Sequence, residues 1–232
     1  MNGYLKNFKP QIEALNSVYF ELIKGIEDKV DLKNWWAFGG GTALSMFHFQ
    51  HRKSFDIDIF VSEAQVFDFL DPKWYIDDTS AFSANDYKFD GFAKHLKLKT
   101  NKNIKVDFLL NEALINKPIK NTLIDLEYEL FYESIEDIIA KKVKYRKEDN
   151  LTRDIFDLAV AISKDRDILQ NLLYSKFITT DDLEKLNSSL NSLDKNIYKT
   201  ELEKIEPEEE YIEISLDAQA IIQNNIAEVL RV

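Results

Sequence analysis

The chain has 232 residues, a hydrophobic fraction of 45% and a formal net charge of −11 at pH 7, which excludes binding of nucleic acid through bulk electrostatic attraction. It contains no cysteine, which excludes disulfides, thiolate metal ligands and a cysteine nucleophile and suits a reducing cytosol. No apolar run approaches the roughly 18–20 residues of a membrane span and the N-terminus has no apolar signal region, so we expect a soluble, cytoplasmic protein without a membrane partner.

Helical and extended patterns alternate along the first 132 residues. Apolar side chains recur at helical spacing over residues 9–29, and the short apolar run 35–38 predicts a buried strand that ends in glycines. The patterns that follow predict, in chain order, a helix over 42–49 with Thr42 as its N-cap, a strand over 55–61, a short helix over 64–70, a hairpin of 87–89 and 93–99 around Asp90-Gly91, a strand over 104–110 and an extended stretch over 122–132.

Glycine is absent after Ser134, and helical periodicity dominates the rest of the chain. It predicts helices over 134–147, 152–164, 166–175, 180–191 and 215–230, while the acidic stretch 206–210 forms a linker or starts a helix. The fold class that we predict is therefore α/β (α+β): an N-terminal domain over residues 1–132 with a mixed sheet, followed by a C-terminal helical bundle over residues 133–232.

The segment FDIDIF places two carboxylates on one predicted strand. Asp56 and Asp58 are two residues apart and therefore point to the same face, while Ile57 and Ile59 point to the other. Two like charges at this distance repel unless a cation lies between them, and Mg²⁺ prefers such hard oxygen ligands. Most D-x-D pairs are surface acids, so this pair alone is weak support for a metal site.

A third carboxylate lies inside another apolar strand. Asp107 stands in IKVDFLL, where Val106 and Phe108 would face the core and Asp107 the opposite side. One interpretation is an edge-strand acid that is neutralised by a neighbouring lysine such as Lys105. The other is that three carboxylates on two adjacent strands form a two-metal clamp for phosphoryl transfer.

Three of the six glycines stand together at residues 39–41. A strand, a glycine-rich turn and a helix N-terminus together form an anion site, because backbone N–H groups point outward there. Gly40 and Gly41 would then let a triphosphate approach the backbone, and Thr42 would add a hydroxyl. The alternative is a tight strand-to-helix turn without a ligand. The Gly-Lys-Ser/Thr ending of a Walker A loop is absent.

These motifs carry a family resemblance. Gly40-Gly41-Thr42-Ala43-Leu44, followed by Arg52-x-Ser54-x-Asp56-x-Asp58, resembles the nucleotidyltransferases of the AbiEii type. Members of that family are toxin components of bacterial type IV toxin–antitoxin and abortive-infection systems and have the DNA polymerase β-like nucleotidyltransferase fold. The resemblance implies that the glycine turn holds nucleotide phosphates, that the D-x-D pair binds metal and that Asp107 completes the set.

The resemblance continues in the helical half, through residues 137–142, Arg146 and the Arg-Asp-x-x-Asp-Leu segment 153–158. A helical wheel places Lys142 and Arg146 within the apolar stripe of the helix that contains them. Buried cations need anionic partners. Either they form internal salt bridges to Asp154 or Asp157, or Lys142 reaches the nucleotide phosphates and Asp157 orients Lys142 or an acceptor group. In the second case the helical domain completes the active-site cleft.

The function implied by the resemblance is metal-dependent transfer of a nucleotide from an NTP to an acceptor such as tRNA, by a toxin with a cognate antitoxin protein. Mg²⁺ or Mn²⁺ is the implied cofactor. Alternatives are a protein or small-molecule acceptor, or a non-catalytic nucleotide-binding module. The implied ligands are Asp56, Asp58 and Asp107 for metal, Gly40, Gly41, Thr42 and Ser54 for triphosphate, and Arg52, Lys142 and Arg146 for its charge.

Two basic islands and three histidines complete the sequence features. Residues 94–105 and 141–147 are rich in lysine, and the simplest interpretation is that most of these lysines lie on solvated faces. If the protein contacts RNA, it needs such a local basic patch, a metal ion or a basic partner. His48, His51 and His95 form no recognisable metal set, and we expect His51 to lie in an exposed loop or to contact substrate.

Overall fold

A computed structural model describes residues 3–27, 35–83, 86–111 and 115–231. The chain divides into two compact units, one formed by residues 1–46 and 55–133 and the other by residues 47–54 and 134–232. Across the described ranges, no helix combines the length and the apolar character that crossing a membrane requires. The mixed α/β fold with a helical C-terminal part is the fold class that the sequence predicts.

The first unit is built on a sheet. Its described strands are β1 (Trp36–Gly39), β2 (Ile57–Val61), β3 (Lys88–Asp90), β4 (His95–Lys99), β5 (Lys105–Leu110), β6 (Ile119–Lys120) and β7 (Phe131–Tyr132). They follow the order β3-β4-β5-β2-β1-β7-β6. β2 is antiparallel to β1 and parallel to β5, which in turn is antiparallel to β4. β5 is therefore an interior strand, and the interpretation of Asp107 as an edge-strand acid is wrong.

The central strands have one buried and one polar face. Burial alternates along β2 and β5, so that their apolar residues pack into the core while Asp58 and Asp107 stay partly exposed. This alternation confirms the strands predicted from periodicity. The predicted extended stretch 122–132 is wrong for most of its length, because only its end forms a strand. Before that, Asn121 Oδ1 accepts hydrogen bonds from the backbone of Leu123 and Ile124, which turns the chain.

In the sequence, helical segments precede β1 and lie between the first three strands of this sheet. The predicted helix over 9–29 is confirmed as far as residue 27, and residues 28 and 29 lie outside the described part. Its segments are a 3₁₀ turn (Tyr4–Phe8), α1 (Lys9–Val18), a π-helical turn (Tyr19–Ile23) and α2 (Lys24–Glu27). After β1 come α3 (Gly40–Ala43), a π-helical segment (Leu44–Phe49) and 3₁₀ turns over Ala64–Phe69 and Pro72–Trp74.

The second unit is helical. Its described helices are α4 (Ile135–Arg146), α5 (Thr152–Lys164), α6 (Ile168–Tyr174), α7 (Thr180–Asn191), α8 (Lys195–Ile205) and α9 (Ile212–Val229). α5 is buried over most of its length and packs against α4, α8 and α9. Ser134 is the N-cap of α4, because its hydroxyl accepts a hydrogen bond from the backbone of Asp137 (3.2 Å).

Residues 47–54 belong to the first domain in the division predicted from the sequence. In the structure they group with the helices of the second unit through hydrogen bonds to backbone groups. The amide of Lys53 donates to the carbonyl of Ile205 (2.9 Å), and the amide of Glu208 donates to the carbonyl of His51 (2.9 Å). The hydroxyl of Tyr211 donates to the carbonyl of Phe49 (2.8 Å). The segment is therefore fixed in the helical unit by the turn between α8 and α9.

Candidate functional site

Two carboxylates lie side by side on the polar face of the sheet. Asp58 on β2 and Asp107 on β5 are direct partners in the parallel register. Like charges directly opposite each other on neighbouring strands destabilise a sheet. Asp56 precedes β2, and its backbone carbonyl accepts a hydrogen bond from the hydroxyl of Thr42 (2.5 Å). The register thus brings together two of the three predicted acids.

A divalent cation suits this pair by donor chemistry. Mg²⁺ is held in many enzymes by one or two carboxylates, with water and substrate phosphates as the other ligands. Over the described ranges, no group of three or more His, Asp or Glu side chains is arranged to hold a metal ion. Asp58 and Asp107 supply the two carboxylates that such a Mg²⁺ site needs from the protein. That Asp56 is also a metal ligand stays a prediction.

Asp107 has a partner that sequence reasoning missed. His95 Nε2 lies 2.6 Å from Asp107 Oδ1, and Lys97 Nζ lies 3.9 Å from the same oxygen. The acid is therefore paired through β4 rather than by Lys105, the lysine proposed from sequence. His95 and Lys97 alternate with buried leucines along the predicted hairpin strand, and this spacing is the signal that could have placed them on the polar face.

Two of the three consecutive glycines lie so close to carboxylates of the same chain that a side chain would not fit there. Gly40 has φ +67°, and a Cβ there would lie 2.0 Å from Asp58 Oδ2. A Cβ at Gly39 would lie 2.2 Å from Glu133 Oε2. The helix begins at Gly40 and is preceded by Gly39, so the prediction that Thr42 is its N-cap is wrong. Gly40 lets the backbone turn directly beside Asp58.

Replacing Gly40 with alanine is therefore expected to lower the free energy of unfolding by at least about 2 kcal/mol, because a left-handed conformation costs a Cβ-bearing residue about 1–2 kcal/mol and Asp58 must also move. Chemical denaturation measures this change. Gly25→Ala is the matched control, since its Cβ would meet only an ordinary contact at 3.6 Å from the ring of Tyr75. Equal stability of the two variants would contradict the proposed close approach.

The helical unit contains a buried cluster of charges around Asp157, which is fully buried. Its carboxylate accepts hydrogen bonds from Arg52 Nε (2.6 Å) and Nη2 (2.8 Å) and from His51 Nε2 (2.7 Å), and Lys142 Nζ lies 2.9 Å away. Burial alone would raise the pKa of Asp157, but the charges of Arg52 and Lys142 hold that pKa well below its usual value.

Lys142 is paired with two acids. It is 8% exposed, as the helical wheel predicts for an inward residue, and its ammonium contacts Asp154 as well as Asp157. Arg146 Nη1 lies 3.3 Å from Asp154 Oδ2, but the Arg146 side chain is 40% exposed. The internal salt bridge that the sequence left open is thus present. A contact of Lys142 or Arg146 with substrate phosphates stays a prediction.

His51 is completely buried, so the expectation of an exposed loop histidine is wrong. Its Nε2 bonds to Asp157, and its Nδ1 has no hydrogen-bond partner among the residues that the structure describes. Burial lowers the pKa of His51, and the opposing attraction of Asp157 is the smaller effect. A neutral imidazole that donates from Nε2 to a carboxylate follows from this environment.

Comparison with known proteins decides the family. A sequence profile described as "Nucleotidyl transferase AbiEii toxin, Type IV TA system" matches residues 24–225. The chain belongs to this family. The resemblance predicted from the motifs is thereby confirmed, and this AbiEii-family protein is a nucleotidyltransferase rather than a non-catalytic module.

One solved structure supports the fold of this AbiEii-family protein, and a second is similar over the whole chain at a lower score. MenT4, a nucleotidyltransferase toxin from Mycobacterium tuberculosis, superposes with a TM-score of 0.55 at 15% identity, over 100% of this chain and 86% of MenT4. JHP933 from Helicobacter pylori gives a TM-score of 0.48 at 17% identity, over 100% of this chain and 95% of JHP933. No curated protein matches the sequence significantly.

Within each unit, the structure of the AbiEii-family protein brings some of the predicted site residues together. In the first unit it brings Asp58 beside Asp107 and against Gly40, and it joins Thr42 to the backbone of Asp56. In the second unit it joins Arg52, Lys142 and Asp157 in one cluster. Ser54 is half-buried in the segment 47–54, and its predicted contact with phosphate stays a prediction.

The lowered pKa of His51 predicts a loss of stability in mild acid. Below the unfolded pKa of about 6.5 the unfolded chain binds a proton that the folded chain does not, so the free energy of unfolding falls by about 1.4 kcal/mol per pH unit until the folded pKa is reached. Denaturation between pH 7.5 and 5 measures this slope, and His51→Gln should flatten it. An equal slope in His48→Gln is the expected control result, and an unchanged slope in His51→Gln would contradict the assignment.

Proposed function

We propose that this nucleotidyltransferase transfers a nucleotide from an NTP to tRNA in the cytoplasm, with Mg²⁺ or Mn²⁺ as cofactor, and that an antitoxin protein restrains it. The observation that carries the proposal is the opposed pair Asp58–Asp107, with Asp58 held against a left-handed glycine at the start of a helix. Such a pair stores repulsion that a divalent cation relieves. The family membership supports the nucleotide as the transferred group.

The residues of the first unit divide into two proposed roles. Asp58 and Asp107, with Asp56, would hold the metal, which when bound supplies positive charge to the phosphate oxygens. Gly40, Gly41 and Thr42 would hold the triphosphate at the helix start. The acceptor hydroxyl oxygen attacks the α-phosphorus, the bond to the bridging oxygen breaks, and pyrophosphate leaves. Asp107 takes the hydroxyl proton, and His95 fixes the orientation of the Asp107 carboxylate.

In the second unit, Arg52, Ser54, Lys142 and Arg146 are the proposed contacts to the charged substrate. Asp157 holds Arg52 and Lys142 in fixed orientations, which favours a positioning role for this acid. Arg146 keeps the largest exposed fraction of the three cations. We therefore propose Arg146 as a direct phosphate ligand, with Lys142 and Arg52 adding positive charge.

A second candidate keeps the enzyme and changes the acceptor. The net charge of −11 disfavours a long polyanion as partner, which supports a protein side chain or a small molecule as acceptor. Such an acceptor needs no extended basic surface, so the two candidates differ in what the labelled product will be.

The test is a labelling reaction with the purified protein, Mg²⁺, each of the four α-³²P-labelled NTPs, and total bacterial RNA together with cell protein. We expect label in bands of tRNA size, and none with the Asp56→Ala/Asp58→Ala variant. Ribonuclease and protease digestion of the product separates RNA from protein. Label that survives ribonuclease and disappears with protease would overturn tRNA as acceptor in favour of a protein, and label in a small soluble product would favour a small molecule.

A further inference from the structure

Four lysines lie on the polar face of the sheet beside the acid pair. In the antiparallel register, Lys88 on β3 is the direct partner of Lys97 on β4, and Lys99 on β4 is the direct partner of Lys105 on β5. Alternation along β4 and β5 directs these side chains away from the buried leucines, valine and phenylalanine of the same strands. We call this set, Lys88, Lys97, Lys99 and Lys105, the lysine strip.

The lysine strip destabilises the sheet, because like charges directly opposite each other repel. Its internal neutralisation is weak. Lys99 Nζ lies 3.6 Å from Asp86 and Lys97 Nζ lies 3.9 Å from Asp107, while Lys88 and Lys105 make no ion pair with any residue of the described ranges. The four lysines therefore concentrate positive charge beside the carboxylates of Asp58 and Asp107, and a polyanion lying on the lysines would relieve their mutual repulsion.

The lysine strip is continuous with the acid pair. One cross-strand row runs through Lys88, Lys97, Asp107 and Asp58 on four neighbouring strands. At about 4.8 Å between strands, this row spans about 14 Å. A phosphate backbone lying along the strip would therefore bring its chain to the carboxylates.

A fully exposed aromatic ring stands at the end of the same hairpin. Phe92 is 100% exposed in the turn between β3 and β4. Asp90 Oδ1 accepts hydrogen bonds from the backbone amides of Phe92 (3.0 Å) and Ala93 (2.8 Å), which order this turn. Exposed aromatic rings beside lysines stack on unpaired bases. A nucleic acid would use both features at once, with phosphates on the lysines and an unpaired base on the ring, so Phe92 beside the lysine strip favours a nucleic acid.

We propose that the lysine strip and Phe92 form the docking surface for the RNA acceptor, with phosphates on the lysines and an unpaired base stacked on Phe92. The inference rests on the proposed function, because it takes RNA as the acceptor. It also explains how a chain with a net charge of −11 binds RNA, since the positive surface is confined to one hairpin and its neighbouring strand.

Binding of fluorescein-labelled bulk bacterial tRNA, followed by anisotropy in EDTA without NTP, tests the lysine strip apart from catalysis. We expect Lys88→Gln/Lys97→Gln and Lys99→Gln/Lys105→Gln each to raise Kd about tenfold and to lower the slope of log Kd against log[KCl] by about 1.5. Lys195→Gln/Lys199→Gln on α8 is the matched control, because both lysines are exposed and the charge change is equal. It should keep the Kd and slope of the natural protein.

Phe92 is tested in the same assay by two substitutions. Phe92→Ala should raise Kd about tenfold with an unchanged salt slope, and Phe92→Tyr should keep the original Kd because its ring still stacks. Unchanged Kd in the lysine variants, or competition by poly-L-glutamate as effective as that by unlabelled tRNA at equal charge, would overturn the proposal. The natural protein could label tRNA while the lysine variants label and bind tRNA as well as it does. That result would contradict the proposed docking surface and leave the proposed function intact. If the natural protein labels only protein, both fail.

Discussion

Replacing Asp58 with asparagine is expected to reduce nucleotide transfer about a thousandfold, which corresponds to about 4 kcal/mol of lost transition-state stabilisation. Asparagine has nearly the shape of aspartate but no charge, so the metal affinity and the neutralisation of the phosphates are lost together. In metal-free buffer the free energy of unfolding should stay equal or rise, because one of two opposed charges on β2 and β5 is gone. Loss of activity without loss of stability would identify a functional acid.

The control for Asp58→Asn is Asp78→Asn, which makes the same chemical change at an exposed turn residue. Its transfer rate should equal that of the natural protein. A second readout does not depend on activity: Mn²⁺ should raise the Tm of the natural protein by mass action and raise that of Asp58→Asn much less. Full transfer activity in Asp58→Asn would remove Asp58 from the proposed metal ligands, whatever the thermal result.

Elements with strong periodicity could be predicted from the sequence, and the contacts between them could not. β2 and β5 alternate between apolar and polar residues, so each was predicted by itself. The pairing of Asp58 with Asp107 depends on the register of two strands far apart in the sequence, and a shift by one residue would turn one acid into the core. Periodicity within one strand contains no information on that register.

Other features escaped prediction because their local pattern is weak. α8 buries only Tyr198 and Leu202, a single pair one turn apart, so its sequence shows little apolar periodicity. His51 lies in a loop, where burial is decided by tertiary contacts with Asp157 rather than by spacing. By contrast, Lys142 stands inside a clear apolar stripe on α4, and for that reason its inward orientation was predictable.

Replacing Asp157 with asparagine is expected to lower the free energy of unfolding by about 3–5 kcal/mol, because it leaves the buried guanidinium of Arg52 without its carboxylate and weakens the pairing of Lys142. Thermal denaturation should show a fall in Tm of about 10 °C for a chain of this length. Asp181→Asn is the control, since the pair of Asp181 with Lys185 (2.8 Å) is exposed and screened by solvent, so its loss should change the free energy of unfolding little. Equal effects of the two substitutions would contradict the buried cluster.

A double substitution separates stability from substrate binding in this cluster. Buried ion pairs are often replaceable by apolar residues of similar volume, so Arg52→Met/Asp157→Leu should be more stable than Asp157→Leu alone, while Lys142 keeps Asp154 as its partner. We expect this folded double variant to lose transfer activity at least tenfold through a higher KM for NTP, since the charge of Arg52 is gone. A folded double variant with unchanged KM would confine Arg52 and Asp157 to stabilising the helical unit. Arg146 would then remain the proposed phosphate ligand, with Lys142 adding positive charge.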